Sequence, residues 1–225
     1  MATSENIAEI SVCGQTWLLH PDKVVFWKDE NLLILCDLHL GKSGHFRKAG
    51  IAAPGKINLK NFERLDHLIN HYNPSGLLIL GDLFHSGANR EWFQFEEWRK
   101  SHADITITLI TGNHDILHKT FYEAADIETL PALKTGPFQF VHDPGDLVDV
   151  QENITTVSGH LHPGLKIKSR GRQKMVLPCF LFSDTQILLP AFGEFTGLHL
   201  INPSSGQNVY AILDNQVVNT SRFFE

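Results

Sequence analysis

Three short apolar runs constrain this chain most: "NLLILCDLH" at 31–39, "SGLLILGD" at 75–82 and "DITITLITGNHD" at 104–115. The first two are continuous rather than alternating, the pattern of a strand covered on both faces. Between them the spacing turns helical. Leu59, Phe62, Leu65, Leu68, Ile69 and Tyr72 recur from Asn58 to Tyr72, and "NREWFQFEEWRKSH" carries Trp92, Phe95 and Trp98. Strand–helix–strand–helix–strand requires crossover connections and therefore a parallel core. The first 27 residues alternate instead ("AEISVCG", "TWLLH", "KVVFW") and predict antiparallel pairing. Beyond Phe138 short strands and turns continue to the end, predicting a largely antiparallel half that builds a second sheet or extends the first. Two sheets with helices outside is the simplest cover for so many buried strands. No low-complexity stretch or linker divides residues 1–225, so one domain is expected.

Composition excludes several classes. The stretch "MATSENIAEI" has no basic segment followed by an apolar one, so no signal peptide is expected. The longest apolar runs fall far short of a membrane span, which argues against a membrane partner and for the cytoplasm. Cys13, Cys36 and Cys179 lack CxxC spacing and sit in strand-like settings. They read as small buried hydrophobes in a reducing compartment. A net charge of −6 argues against indiscriminate nucleic-acid binding but says nothing of local patches. Thirteen histidines beside three cysteines point to imidazole-and-carboxylate metal chemistry or acid–base work.

The apolar strands end in potential ligands. "LLILCDLH" delivers Asp37 and His39, "LLILGD" Asp82, "TLITGNHD" Asn113, His114 and Asp115, "FQFVHD" His142, and "TTVSGHLH" His160 and His162. One such ending is an ordinary turn residue. Five converging on one edge describe a site at the carboxyl ends of strands. In "SGHLHP" an extended backbone projects His160 and His162 to one face. Asp37, His39, Asp82, Asn113, His142, His160 and His162 mix oxygen and imidazole donors without thiolate, which suits Mn²⁺, Fe or Zn²⁺ better than Ca²⁺. Seven donors fit two metals sharing a carboxylate, an arrangement that clamps both oxygens of an in-line displacement at phosphorus. His142, with only "VHD" around it, can equally be a structural histidine at a strand end.

The order D-x-H, G-D, G-N-H-D, lone His, G-H-x-H resembles the calcineurin-like metallophosphoesterase superfamily. More narrowly, "DLHLGKSGHFRKAGIAAP", "GDLFHS", "GNHD", "SGHLHP" and "LPAFGEFTG" resemble the bacterial ligase-associated DNA damage response metallophosphoesterases. The resemblance implies a four-layer α-β-β-α sandwich of two mostly mixed β-sheets and a Mn²⁺-dependent phosphodiesterase acting on DNA, in functional association with a DNA ligase and a helicase. By motif, Asp37, His39 and His162 would hold one metal and Asn113, His142 and His160 the other, with Asp82 bridging. A hydroxide shared by two cations is a nucleophile near neutral pH. His114 would act as general acid toward the leaving oxygen, and Asp115 would orient its imidazole and keep it charged.

One departure bears on substrate. Protein phosphatases of the superfamily follow G-D with an Asp-Arg-Gly element, whereas "GDLFHSG" puts His85 near the place of the acid and has no Arg. His85 either touches substrate or supports the site from behind. "GKSGHFRKAG" places Lys42, His45, Arg47 and Lys48 after the first motif, with Lys42 and Arg47 as candidate phosphate contacts or as part of a solvated loop. "KIKSRGRQK" puts Lys166, Lys168, Arg170, Arg172 and Lys174 on an expected hairpin beside the site. Arg170 and Arg172 there either steer a phosphate backbone or merely solubilise the turn. The leading reading is cleavage of single-stranded or flapped DNA. A small-molecule phosphodiesterase or nucleotide pyrophosphatase, and a catalytically inactive scaffold, are the alternatives.

Overall fold

The computed structural model describes residues 7–41, 57–85, 89–146, 153–168, 174–194 and 196–221. The expectations for Lys42, His45, Arg47, Lys48, Arg170 and Arg172 lie outside the described residues.

A seven-stranded sheet runs in chain order: β1 (Ala8–Val12), β2 (Gln15–His20), β3 (Val24–Trp27), β4 (Leu32–Leu35), β5 (Gly76–Leu80), β6 (Thr106–Ile110) and β7 (Ile127–Leu130). β1 to β4 pair antiparallel, as the alternating sequence predicts, and β4 to β7 pair parallel. The crossovers carry α1 (Ile57–Tyr72), α2 (Arg90–Lys100) and α3 (Lys119–Ala124). α2 starts where Asn89 caps it, its side chain accepting from the Glu91 and Trp92 N–H groups.

The second sheet has nine strands: β8 (Leu133–Thr135), β9 (Phe138–Val141), β10 (Thr155–Ser158), β11 (Pro163–Lys168), β12 (Lys174–Phe182), β13 (Gln186–Leu188), β14 (His199–Ile201), β15 (Asn208–Leu213) and β16 (Gln216–Asn219). It is mixed, as the resemblance implies, rather than largely antiparallel, as the strand texture alone predicts. β9 with β10, β10 with β13, and β11 with β14 all run parallel. Residues 142–154 between β9 and β10 are long enough to bring the chain back for a parallel pairing. Alternation within a strand reports which face is buried, not which way its neighbour runs. β11 and β12 do form the expected antiparallel hairpin, with Lys168 opposite Lys174.

Side chains sort by period two. Leu77 and Ile79 of β5 face the helices, together with Leu33, Leu35, Ile107 and Leu109, and meet Phe62, Leu65 and Leu68 of α1 and Trp92, Phe95 and Trp98 of α2. Leu78 and Leu80 face the second sheet, where Trp17, Trp27, Phe138, Phe140 and Phe180 close the inter-sheet core. Along β12 the same rule separates Phe180 and Phe182 from Cys179 and Leu181, which join Leu188, Val209 and Ala211 on the far face. The result is an α/β fold of two mixed sheets, with the described helices packed on the first.

Cys36 and Cys179 are buried, as expected, but Cys13 is exposed. Val12 pairs with Gln15, so Cys13 and Gly14 form a two-residue hairpin turn, with φ of 50° and 75°. Such turns need a left-handed backbone at both positions and hold their side chains out of the core. No described helix is long and apolar enough to cross a membrane.

Candidate metal centre

The ends of β4 and β5 stay joined beyond the regular ladder. The Asp37 N–H donates to Gly81 O at 3.1 Å, His39 N–H to Asp82 O at 2.8 Å and Leu40 N–H to Leu83 O at 2.9 Å. Five candidate ligands occupy left-handed backbone: Asp37 (φ 54°), His39 (50°), Asp82 (52°), His160 (60°) and His162 (46°). Each such residue costs roughly 1–2 kcal/mol relative to ordinary backbone. The surrounding pairing must hold them there. The left-handed turn aims the side chain off the end of its strand.

Two donor groups result. Ligand atoms of Asp37, His39 and His162 lie within 4.8 Å of one another, and so do those of Asp82, His142 and His160. Asp82 joins the groups: its Oδ2 is 3.7 Å from His39 Nε2 and its Oδ1 is 3.5 Å from His142 Nε2. Asn113 Oδ1 stands 3.1 Å from His142 Nε2, which is 3.0 Å from His160 Nδ1. All seven residues expected as ligands are therefore brought together.

The histidines are set to present lone pairs inward. His142 Nδ1 faces Leu80 O at 3.0 Å and His162 Nδ1 faces Gly197 O at 3.1 Å. A carbonyl can only accept, so each Nδ1 carries the proton and each Nε2 is left a lone pair. His160 is turned the other way, with Nε2 3.4 Å from Asp143 Oδ2 and Nδ1 inward. Asp37 Oδ1 and His162 Nε2 are 3.2 Å apart, buried, and without a hydrogen bond among the described residues. Buried polar atoms of that kind are costly unless something binds them. The donor set and its orphaned atoms fit a pair of divalent cations of imidazole–carboxylate preference. Burial works to raise the Asp37 carboxyl. A protonated His162 facing it, with Cys36 and His142, nevertheless holds it below the usual carboxylate range.

The glycines of the motifs make room for these ligands. A Cβ at Gly81 would fall on the His142 imidazole, one at Gly112 on Asp82 Oδ1, and one at Gly159 would stand 2.6 Å from Asp37 Oδ2. Each glycine thus accommodates a ligand from a different strand.

His114 donates its backbone N–H to Asp82 Oδ1 at 3.0 Å. Its ring lies beside the first donor group, 5.7 Å from His39 and 4.0 Å from His85. His85 is therefore at the site, its N–H bonded to Leu40 O at 2.8 Å. Asp115 departs from expectation. Its Oδ2 accepts from the Asp82 and Gly112 N–H groups, both at 2.8 Å, and its Oδ1 accepts from Phe84 at 3.1 Å. The carboxylate clamps the two ligand loops and is not aimed at the His114 imidazole. Burial dominates its titration and, despite those donors, pushes the carboxyl up to about 6.

Sequence reasoning missed the supports. Asp143, the neighbour of His142 in "VHD", faces His160. "LPAFGEFTG" runs beside the Asp37 loop, with Phe192 N–H donating to Cys36 O at 2.9 Å and Gly193 N–H to Asp37 O at 3.0 Å. Arg64 of α1 fixes that segment, bonding Phe192 O at 3.0 Å while its guanidinium stacks 4.1 Å from the Phe192 ring. Nothing local marks an arginine on a helix as the support of a strand-end loop.

The calcineurin-like phosphoesterase family model matches residues 31–194. The crystal structure of the Pseudomonas putida nuclease MPE superposes with a TM-score of 0.80 at 32% identity, covering 95% of this chain and 100% of that one. The E. coli phosphoesterase Yfce is more distant, at 14% identity and a TM-score of 0.45 over 84% of this chain and 98% of that one. No curated protein matches the chain. The family match takes in all seven candidate donors and the intervening helices in a single span, and with it the chain belongs to the calcineurin-like phosphoesterase family, as a metal-dependent phosphoesterase.

Proposed function

We propose that this protein is a dinuclear phosphodiesterase that hydrolyses DNA, single-stranded or flapped, in DNA repair. The observation that carries the two-metal reading is Asp82, whose two carboxylate oxygens face separate donor groups. The likeness to a nuclease along nearly the whole chain supports a nucleic-acid substrate. In this reading residues 1–225 act as one domain, Asp37, His39 and His162 hold one ion, Asn113, His142 and His160 the other, and Asp82 both. Mn²⁺ is the proposed ion, a choice that rests on the donor set. Association with a DNA ligase and a helicase, and a cytoplasmic location, belong to the same proposal.

Two divalent cations held by these residues would supply positive charge for the phosphoryl group and would acidify bound water. The residues do the rest. Leu80 O and Gly197 O hold His142 and His162 in the tautomer that points Nε2 inward. Asp115 keeps the Asp82 and Gly112 backbones in register. In this reading His114, whose ring is 5.7 Å from that of His39, stabilises charge on the phosphoryl group and gives a proton to the leaving oxygen.

The test is metal-stripped protein assayed with added Mn²⁺ on bis-p-nitrophenyl phosphate, p-nitrophenyl phosphate, cyclic nucleotides and single-stranded DNA in parallel. Diester and DNA cleavage that requires metal supports the reading. Turnover of cyclic nucleotides alone would make it a small-molecule enzyme. No turnover of any of the four substrates would leave a scaffold.

A further inference from the structure

Between Glu152 and Asp184 the chain carries the cations Lys166, Lys168, Arg170, Arg172 and Lys174 and no acid, in a protein whose net charge is −6. The described part of that stretch includes β11 and the start of β12, and β14 lies along the other side of β11. β11 starts at Pro163, directly after the candidate ligand His162. Gly197 O stands 3.1 Å from His162 Nδ1, and the His199 N–H donates to His162 O at 3.0 Å. Leu198 therefore lies between the two residues that hold His162.

Register separates two faces of these strands. Leu165 pairs with Leu177 and Ile201, and with Ile167 and Cys179 they pack one face. Gly164 pairs with Pro178 and Leu200, and Lys166 with Val176, so these residues share the other. A Cβ at Gly164 would stand 2.8 Å from Leu198 Cβ and 3.0 Å from Val176 Cγ1. The glycine lets Leu198 and Val176 come together over it, and Leu200 extends the strip. All three stay in water, Leu198 37%, Val176 39% and Leu200 47% exposed. A contiguous apolar strip on the face the core does not need marks a contact surface. Lys166 and Lys174 stand exposed on the same face, neither paired with an acid among the described residues. The register also sets Lys168 opposite Lys174. Like charges placed so destabilise a strand pair, and an anion laid over them relieves it.

We propose that this face is the track on which a single DNA strand leaves the first donor group, which rests on the phosphodiesterase reading above. The cations select a polyanion, and the junction with His162 selects the polymer that is being cut. The apolar strip selects an unpaired strand. A duplex keeps its bases stacked and offers mainly phosphates, whereas a single strand can lay a base or deoxyribose on Leu198, Leu200 and Val176. Lys166 is four residues beyond His162, roughly 13 Å along β11. It and Lys174 take phosphates away from the scissile one. Aliphatic contacts read no base edge, so the track is indifferent to sequence.

The experiment titrates protein loaded with Mn²⁺ against short fluorescent phosphorothioate DNA, single-stranded and as a duplex of the same sequence. Turnover of bis-p-nitrophenyl phosphate is followed alongside as a measure of the intact site. Val176→Ser combined with Leu200→Ser should weaken single-strand binding about 3–10-fold and duplex binding not at all. Lys166→Ala combined with Lys174→Ala should weaken both. On the single strand it should lower the slope of log affinity against log salt by about 1.4, two contacts at ~0.7 each. Wild-type affinity in either double variant, or equal losses on single strand and duplex from the serine pair, would overturn the track. So would diester turnover that falls in step with DNA affinity in both variants, which would make the face a structural support. Unchanged DNA affinity with a wild-type dimer that the serine pair dissociates would assign the strip to a second copy of this chain instead. Wild-type protein that cleaves the chromogenic diester but binds neither DNA would overturn the nucleic-acid reading itself, and is told apart because it needs no variant.

Discussion

The Asp82 backbone N–H donates to Asp115 Oδ2 at 2.8 Å, which ties the last residue of the G-N-H-D motif to the residue whose carboxylate stands between the two donor groups. The same oxygen takes the Gly112 N–H, and its twin takes that of Phe84. Three backbone donors therefore converge on one half-buried carboxylate. Asp115→Asn must turn an NH₂ toward at least one of them. We expect a stability loss of about 1–3 kcal/mol in urea unfolding and weaker metal retention. Full stability with a selective loss of rate on poor leaving groups would return Asp115 to orienting His114.

Asp82→Ala removes the one carboxylate facing both groups. Bound metal, measured by elemental analysis, should fall, and the rate on bis-p-nitrophenyl phosphate should drop at least ~100-fold, equivalent to about 3 kcal/mol. A variant keeping a tenth or more of wild-type rate contradicts the bridging role.

His114→Ala separates proton transfer from charge stabilisation. Protonation helps an alkoxide leave far more than it helps p-nitrophenolate. DNA cleavage should collapse by roughly 10²–10⁴-fold, and the chromogenic diester should suffer much less. Metal content should stay at the wild-type value. Lost metal would make His114 a ligand, and equal rate losses with metal intact would make it an electrostatic group only.

Gly81 and Gly14 form a matched pair, with φ of 77° and 75°. A Cβ at Gly14 meets nothing within 4 Å, whereas one at Gly81 lands on the His142 imidazole. Both Ala variants should lose about 1 kcal/mol to left-handed backbone. Only Gly81→Ala should also lose bound metal and activity. Comparable activity in the two variants would mean that His142 is not held where its ligand role requires.

By itself the sequence determined the order of strands and helices in the first sheet, because burial on both faces leaves continuous apolar runs and crossover helices keep a 3.6-residue period. It also marked Asp37, His39, Asp82, Asn113, His160 and His162, since each stands at a strand end where its neighbours in sequence announce it, and His142 by its strand-end position alone. Tertiary structure decided what depends on residues far apart in the chain. The parallel pairings of β9 with β10 and of β10 with β13 come from a connection long enough to return, which no alternation encodes. The carboxylate of Asp115 goes to Asp82, Gly112 and Phe84 because folding brings two loops together around it. The left-handed backbone at five candidate ligands is likewise held from outside: at Asp37, His39 and Asp82 by the pairing beyond β4 and β5 and by Arg64 acting through Phe192 and Gly193, at His160 by its N–H donating to Asp37 Oδ2, and at His162 by its carbonyl accepting from His199. Local propensity opposes that conformation in Asp and His, and only the packed molecule can offset its cost.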